Sequence, residues 1–285
     1  LIRSRGLGDV YKRQMKKFFY LFLFINFHCF AQKNDHVYFS DALTKIKQND
    51  LAGAVSDLSN ALDINPLMFE AYVKRANLYE KLRDFGSAIM DLDKAIEIDS
   101  SQHKLYLIRG VYNYKLRKYD LSISDFTKSI ELEPTYVKAY YNRANAKKLL
   151  KDYEGSIDDY NLALKINPLD INSLMNIGMI NSQLKNYDGA IDNFSNVIAI
   201  KPDYQKAFVL RASVKLDSRD FVGAIEDNTE AIKIDNSNGV PYANRGKAKE
   251  FLEDINGACE DWTLAADLGH KSAKIWVLNQ CRNRD

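Results

Sequence analysis

Apolar, small and polar positions recur along this chain with a fixed spacing of 34 residues. Small residues fill one column: Ala54, Ala88, Ser122, Ser156, Ala190, Ala224 and Ala258. Seven positions on, Ala61, Ala95, Ser129, Ala163, Val197, Ala231 and Ala265 repeat the preference with one Val. Between them stand Leu58, Leu92, Phe126, Tyr160, Phe194, Asn228 and Trp262, mostly large. Just upstream lie Leu51, Phe85, Tyr119, Tyr153, Tyr187, Phe221 and Ile255. Pro66, Pro134, Pro168 and Pro202 share the same frame, with Ser100, Asn236 and His270 in the slots that lack Pro. The windows 35–68, 69–102, 103–136, 137–170, 171–204, 205–238 and 239–272 follow one another without insertion, which predicts a tandem repeat.

Each window predicts two amphipathic helices. In the fourth, Ala139, Tyr140, Arg143, Ala144 and Lys147 mark the first helix, with long aliphatic stems beside small residues. Asp152-Tyr153-Glu154-Gly155 predicts the turn, and Ser156, Ile157, Tyr160, Ala163 and Leu164 the second stripe. Asn167-Pro168 ends it, because Pro disfavours helical geometry in the residue before it. Small residues where helices cross let the backbones approach, and facing aromatics fill the next gap. One such hairpin cannot bury its apolar face alone, so the units must stack. A final segment from Lys271 to Cys281, carrying Ala273, Ile275, Trp276 and Leu278, predicts the terminal cap, with the tail running over 273–285.

These columns resemble the tetratricopeptide repeat family, whose pattern combines an aromatic, small residues, an aromatic before the second helix and a closing Pro. The resemblance covers seven tandem copies over 35–272 and departs from the pattern at Asn228 and at the three slots without Pro. It implies an all-α fold, a right-handed α-α superhelix (a solenoid) of seven helix hairpins plus a C-terminal capping helix. First helices are then expected to line a concave groove.

Comparison between repeats brings out a charge pattern. First helices carry Asp41, Arg75, Arg109, Arg143, Ile177, Arg211 and Arg245 in one column; second helices carry Asp57, Asp91, Asp125, Asp159, Asn193, Asp227 and Asp261 in another. The repeat that replaces Arg by Ile177 is also the one that replaces Asp by Asn193. This predicts an Arg–Asp pair that ties either the two helices of a hairpin or neighbouring repeats. Repeat one, with Asp41 and Asp57, does not fit and reads as a modified cap.

The first thirty residues fall outside the period. Residues 1–14, LIRSRGLGDVYKRQ, read as an adapter-like, non-native extension. From Met15, Lys16 and Lys17 precede an apolar run Phe18–Phe30, and Cys29 and Ala31 are small residues before a cut at Gln32. That is the pattern of a signal peptide over 15–31, and the run falls short of the roughly 20 residues a spanning helix needs. Export to a periplasmic or extracellular space is expected, with an uncleaved anchor as the alternative and no span after cleavage. The composition changes accordingly: 285 residues with 46% hydrophobic and 27% charged carry a formal charge of +2, but removing 1–31 leaves 34 basic and 37 acidic residues, a net −3. Neither balance suggests nucleic-acid binding. Cys29 leaves with the leader, and Cys259 and Cys281 remain as a disulfide candidate, with two small buried thiols as the other reading.

No catalytic motif emerges. His36, His103 and His270 are scattered, none at metal-ligand spacing, and no GxSxG or phosphate loop occurs. No catalytic residue, metal or cofactor is therefore expected. The resemblance places Lys104, Leu107, Val111, Lys138, Tyr141, Asn142, Asn145, Asn172, Met175, Asn176, Met179, Lys206 and Val209 along the groove, with Val73, Asn77 and Ser213 in the same columns. An apolar floor with amides and ammonium groups suits an extended or helical peptide; packing of the same residues between repeats is the bland alternative. Some members grip chaperone C-terminal carboxylates through five slots. Here Asn145, Asn176 and Lys206 fill three, and Tyr141 and Leu210 occupy the two where Lys and Arg belong, so that activity is not expected. The function expected is a non-catalytic scaffold for a protein or peptide partner. The alternatives are an envelope accessory subunit that recognises cell-wall glycan or lipid-linked material and, last, an enzyme.

Overall fold

The computed structural model describes residues 34–281. Among the described residues there is no strand, and the helices run in chain order as α1 (Asp35–Lys47), α2 (Leu51–Ile64), α3 (Phe69–Lys81), α4 (Phe85–Ile98), α5 (His103–Lys115), α6 (Tyr119–Leu132), α7 (Val137–Leu149) and α8 (Tyr153–Ile166). They continue as α9 (Ile171–Gln183), α10 (Tyr187–Ile200), α11 (Gln205–Asp217), α12 (Phe221–Ile234), α13 (Gly239–Phe251), α14 (Ile255–Asp267) and α15 (Lys271–Trp276), followed by a π-helical turn Val277–Cys281. The expected leader over 1–31 and the last four residues lie outside the described part. The chain divides into two compact units, Leu1–Leu105 and Tyr106–Asp285.

Each pair is joined by the same tight turn. One residue per repeat adopts the left-handed region: Asn49, Arg83, Arg117, Lys151, Lys185, Arg219 and Glu253, with φ between 60 and 66°. None is Gly, so each turn carries a backbone cost of roughly 1–2 kcal/mol. Two bonds offset it in the fourth repeat: Lys151 N–H donates to Lys148 O at 3.0 Å and Asp152 N–H to Lys147 O at 3.0 Å, closing the last carbonyls of α7. Asp152 then turns its carboxylate forward and accepts from Gly155 N–H at 3.0 Å, capping α8. Asp50, Asp84, Asp220, Asp254 and Asn186 cap their helices in the same way, whereas Lys118 gives α6 no side-chain cap.

Cores form between consecutive helix pairs. In the second unit Ala144 and Tyr160 of one pair bury together with Ile177 and Ile180 of the next. Large and small residues are matched within pairs. A Cβ on Gly178 would meet Phe194 at 2.7 Å, and one on Gly246 would meet Trp262 at 2.6 Å. Ala212, at the equivalent position of repeat six, accompanies Asn228, which is fully buried. Asn228 donates to Ala224 O at 2.8 Å, and its Oδ1 has no hydrogen-bond partner among the described residues.

The Arg and Asp columns meet across the two helices of a repeat. Arg143 donates through Nε and Nη2 to the two carboxylate oxygens of Asp159 at 2.9 and 2.6 Å. Its Nη1 reaches Thr127 Oγ1 of the preceding repeat at 3.0 Å. Thr127 gives its own proton to Ile123 O, which leaves its oxygen free to accept. The same arrangement recurs with Arg75, Asp91 and Ser59, with Arg211, Asp227 and Ser195, and with Arg245, Asp261 and Thr229. Both expected alternatives are therefore realised by one guanidinium: it closes its own hairpin and ties on the preceding one. The Asp91 and Asp261 contacts also push the guanidinium pKa of Arg75 and Arg245 above its ordinary value.

Most of these carboxylates gain a second donor. Lys147, Lys215 and Lys249 reach Asp159, Asp227 and Asp261 at 2.8, 3.1 and 2.9 Å, and Asn113 donates to Asp125 at 3.0 Å. Repeat one corrects the expectation of an exception: Asp57 is paired with Lys45 at 2.7 Å, from the position of this second donor rather than of the Arg. Repeat five is neutral at all of these positions. Ile177, Asn181 and Asn193 replace Arg, Lys and Asp, and Asn161 of the preceding repeat replaces the accepting Ser or Thr.

At the C-terminus, the expected capping segment Lys271–Cys281 is helical over its whole length, but its last turn is π-helical. α15 spans Lys271–Trp276 and widens into the π turn. His270 caps it, accepting from Ala273 N–H at 3.2 Å. Trp276 packs against Trp262 with centroids 5.4 Å apart, and a disulfide joins Cys259 to Cys281 with Cα atoms 5.7 Å apart.

Two outcomes follow from these contacts. In chemical denaturation, Arg143→Ala and Asp159→Ala should each cost about 3 kcal/mol or more, because each strands a buried charge. Their double variant should show a coupling energy above about 1 kcal/mol; additivity within ~0.5 kcal/mol would contradict the pairing. The chain has two Trp, Trp262 in α14 and Trp276 in α15, packed in the same C-terminal cluster. Cys281→Ser should therefore bring forward the Trp fluorescence transition by about 3 kcal/mol of lost stabilisation, while the far-ultraviolet helical signal shifts less. Coincident, unchanged transitions would show that the bridge contributes nothing.

Candidate functional site

The hairpin contacts use one side of each first helix and leave the other side to solvent or to neighbouring first helices. In α7, Ala139, Ala144 and Ala146 are fully buried, whereas Tyr141, Asn142 and Asn145 are half-buried. Lys138 and Lys206 are exposed, as are Asn172 and Met179, and Val209 and Val111 are half-buried. Leu107 instead packs with Phe126, Ala139 and Ala146, and Met175 with Phe194 and Val197. Asn176 is 8% exposed. Leu107, Met175 and Asn176 are thus corrected from groove-facing to packed residues: close first-helix packing buries them, most of all in α9. Lys104, exposed, belongs to the first unit.

The structure brings four of the expected residues together with two, Lys148 and Tyr160, that the sequence reading did not place in the groove. Lys148 Nζ donates to Asn176 Oδ1 at 2.6 Å, and Asn176 Nδ2 donates to Asn172 O at 2.9 Å and to Tyr141 Oη at 3.4 Å. Tyr160 Oη donates to Asn145 Oδ1 at 2.7 Å, and its ring lies 5.6 Å from that of Tyr141. Burial pushes the Tyr160 hydroxyl pKa well up, so it remains a donor. Burial alone lowers the pKa of Lys148. A signal for Lys148 existed: it lies one turn beyond Asn145 on α7, a helix with no acidic residue.

Charge is separated between the two helix layers of the second unit. Residues 106–115, α7 and α9 contain no Asp or Glu, and α11 contains Asp217 alone. Second helices hold the paired aspartates and further exposed acids such as Asp158, Asp192 and Glu226. A shallow depression on the second-helix side is lined by Asp158, Asn161, Leu162, Leu164 and Lys165. Among the described residues no group of three or more His, Cys, Asp or Glu could hold a metal ion. No helix among them is long and apolar enough to cross a membrane.

Comparisons with known proteins agree with this geometry. Family models described as tetratricopeptide repeat match residues 69–102, 103–136, 137–169 and 171–204. No curated protein matches the sequence. Among solved structures, the C-terminal part of a repeat-containing protein from Cytophaga hutchinsonii is similar at 17% identity and a TM-score of 0.70, covering 83% of this chain and 98% of that one. A tetratricopeptide repeat protein from Parabacteroides merdae is similar at 17% identity and 0.60, covering 87% and 99%. YrrB, described as a protein of this repeat class with an unusual peptide-binding site, is similar at 17% identity and 0.56, covering 65% and 96%. At these identities the likeness shows the fold, an all-α array of paired helices of the tetratricopeptide solenoid type.

Proposed function

We propose that this chain, which belongs to the tetratricopeptide repeat family, is a non-catalytic scaffold that holds a partner polypeptide on the first helices of its second unit. One observation carries the reading. The buried aromatics and ion pairs serve the hairpins, while Tyr141, Asn142, Asn145, Asn172, Met179 and Val209 reach solvent on one face. Amide groups there can bond a peptide backbone, and the apolar stems can cover its side chains. YrrB, a similar protein, has a peptide-binding site, which supports a polypeptide as the ligand class. Tetratricopeptide proteins are generally scaffolds without catalysis, which supports the non-catalytic reading. Export through the Met15–Ala31 segment is part of the proposal, and the Cys259–Cys281 disulfide suits an oxidising compartment.

Affinity purification from the native envelope tests it. The chain should capture a polypeptide, and Tyr141→Ala with Asn145→Ala should weaken that capture by about tenfold or more at a temperature where the variant keeps the full helical signal. Equal capture by the variant would reject this face. Saturable binding of cell-wall sugar with no polypeptide partner would favour a glycan-recognising subunit instead.

A further inference from the structure

The ammonium of Lys148 is half-buried, yet no carboxylate pairs with it among the described residues: its recorded partner is the Asn176 carbonyl oxygen. Desolvation disfavours the charged form, as its lowered pKa reflects. The other half-buried cations of α7 and α11 are neutralised: Arg143 and Lys147 share Asp159, and Arg211 and Lys215 share Asp227. Lys148 stands apart from that scheme.

Around it, acceptors are occupied and donors are left over. Asn176 Oδ1 is taken by Lys148 and Asn145 Oδ1 by Tyr160. An ammonium has three N–H donors, of which Lys148 uses one; the Asn145 amide N–H groups and the Tyr141 O–H add to them. A cluster of that polarity is completed by an anionic acceptor, which makes short charge-assisted bonds where a neutral amide could not. Lys138 on α7 and Lys206 on α11 extend the positive potential along the same layer, both exposed and without ion pairs among the described residues, and α7 and α9 contain no acid.

We propose that this face selects an acidic segment within the partner polypeptide, one Asp or Glu side chain binding Lys148, Asn145 and Tyr141 while further acidic residues meet Lys138 and Lys206. The inference rests on the scaffold reading and specifies the partner's chemistry. A row of cations in series fits several side-chain carboxylates, rather than the single terminal carboxylate of the five-slot pattern, which does not include Lys148. Exposed Met179 and half-buried Val209 beside the cations fit a polypeptide better than a bare phosphate.

Panning the full chain against a random peptide library fused to the N-terminus of a coat protein tests both levels, because no free carboxyl terminus is offered. Selected peptides should carry Asp or Glu at one fixed register. The best of them, synthesised with Glu and with Gln at that register, should differ in Kd by about tenfold or more by fluorescence anisotropy. The ratio should fall to about one in Lys148→Met, and it should survive in Lys148→Arg and in the second-helix control Lys165→Met. Selection of neutral or basic peptides, or a Glu/Gln ratio unchanged in Lys148→Met, overturns the acidic-segment inference and leaves the scaffold reading standing. Failure to enrich any peptide over the starting library overturns both.

Discussion

A buried aspartate in the second helix of every repeat but the fifth constrains much of this structure. Asp159 is 1% exposed, and a carboxylate so far from water is tolerable only with donors on every side. Arg143 supplies two, Lys147 a third, and the planar fork of the guanidinium still has an arm for Thr127 in the preceding repeat. One contact therefore sets the hairpin angle and the stacking of one hairpin on the next. Such a network is costly to break and gives its geometry little freedom, which suits a frame meant to present a surface.

The same constraint shapes the surface. Each aspartate on a second helix demands cations on its first helix, so basic residues concentrate in one layer and acids in the other. Repeat five drops the whole set together, with Ile177, Asn181, Asn193 and Asn161. Its first helix α9 is the most buried of the series, from Ser173 through Gly178, and it lies beside the one half-buried lysine of α7 that has no aspartate. Structural charge and ligand-facing charge are separable here because the frame neutralises its own cations and leaves Lys148 out.

Much of this was legible in the sequence. The 34-residue period predicted the helix pairs, and the joint loss of Arg and Asp at Ile177 and Asn193 predicted the ion pair. What escaped has physical causes. Lys45 replaces the arginine of repeat one from a different helical turn, in the column of Lys147, Lys215 and Lys249, so the Arg column alone does not show it. Lys148 shares its repeat position with Tyr114, Ser182 and Leu216, and a residue that does not recur carries no periodic signal. Leu107, Met175 and Asn176 occupy groove columns but are buried by the neighbouring repeat, a distance that a one-chain pattern does not contain. The αL turns were equally hidden, since Arg, Lys, Asn and Glu serve there in place of Gly.

The central claim is that the second-helix layer is frame and the first-helix layer of the second unit is the working surface. Amide hydrogen exchange of the chain with and without its captured partner tests it directly, because bound segments lose solvent access. The account predicts added protection in α7, α9 and α11, centred on Tyr141–Lys148, with α8, α10 and α12 unchanged. Protection confined to the second helices, around Asp158 and Lys165 for example, would contradict it.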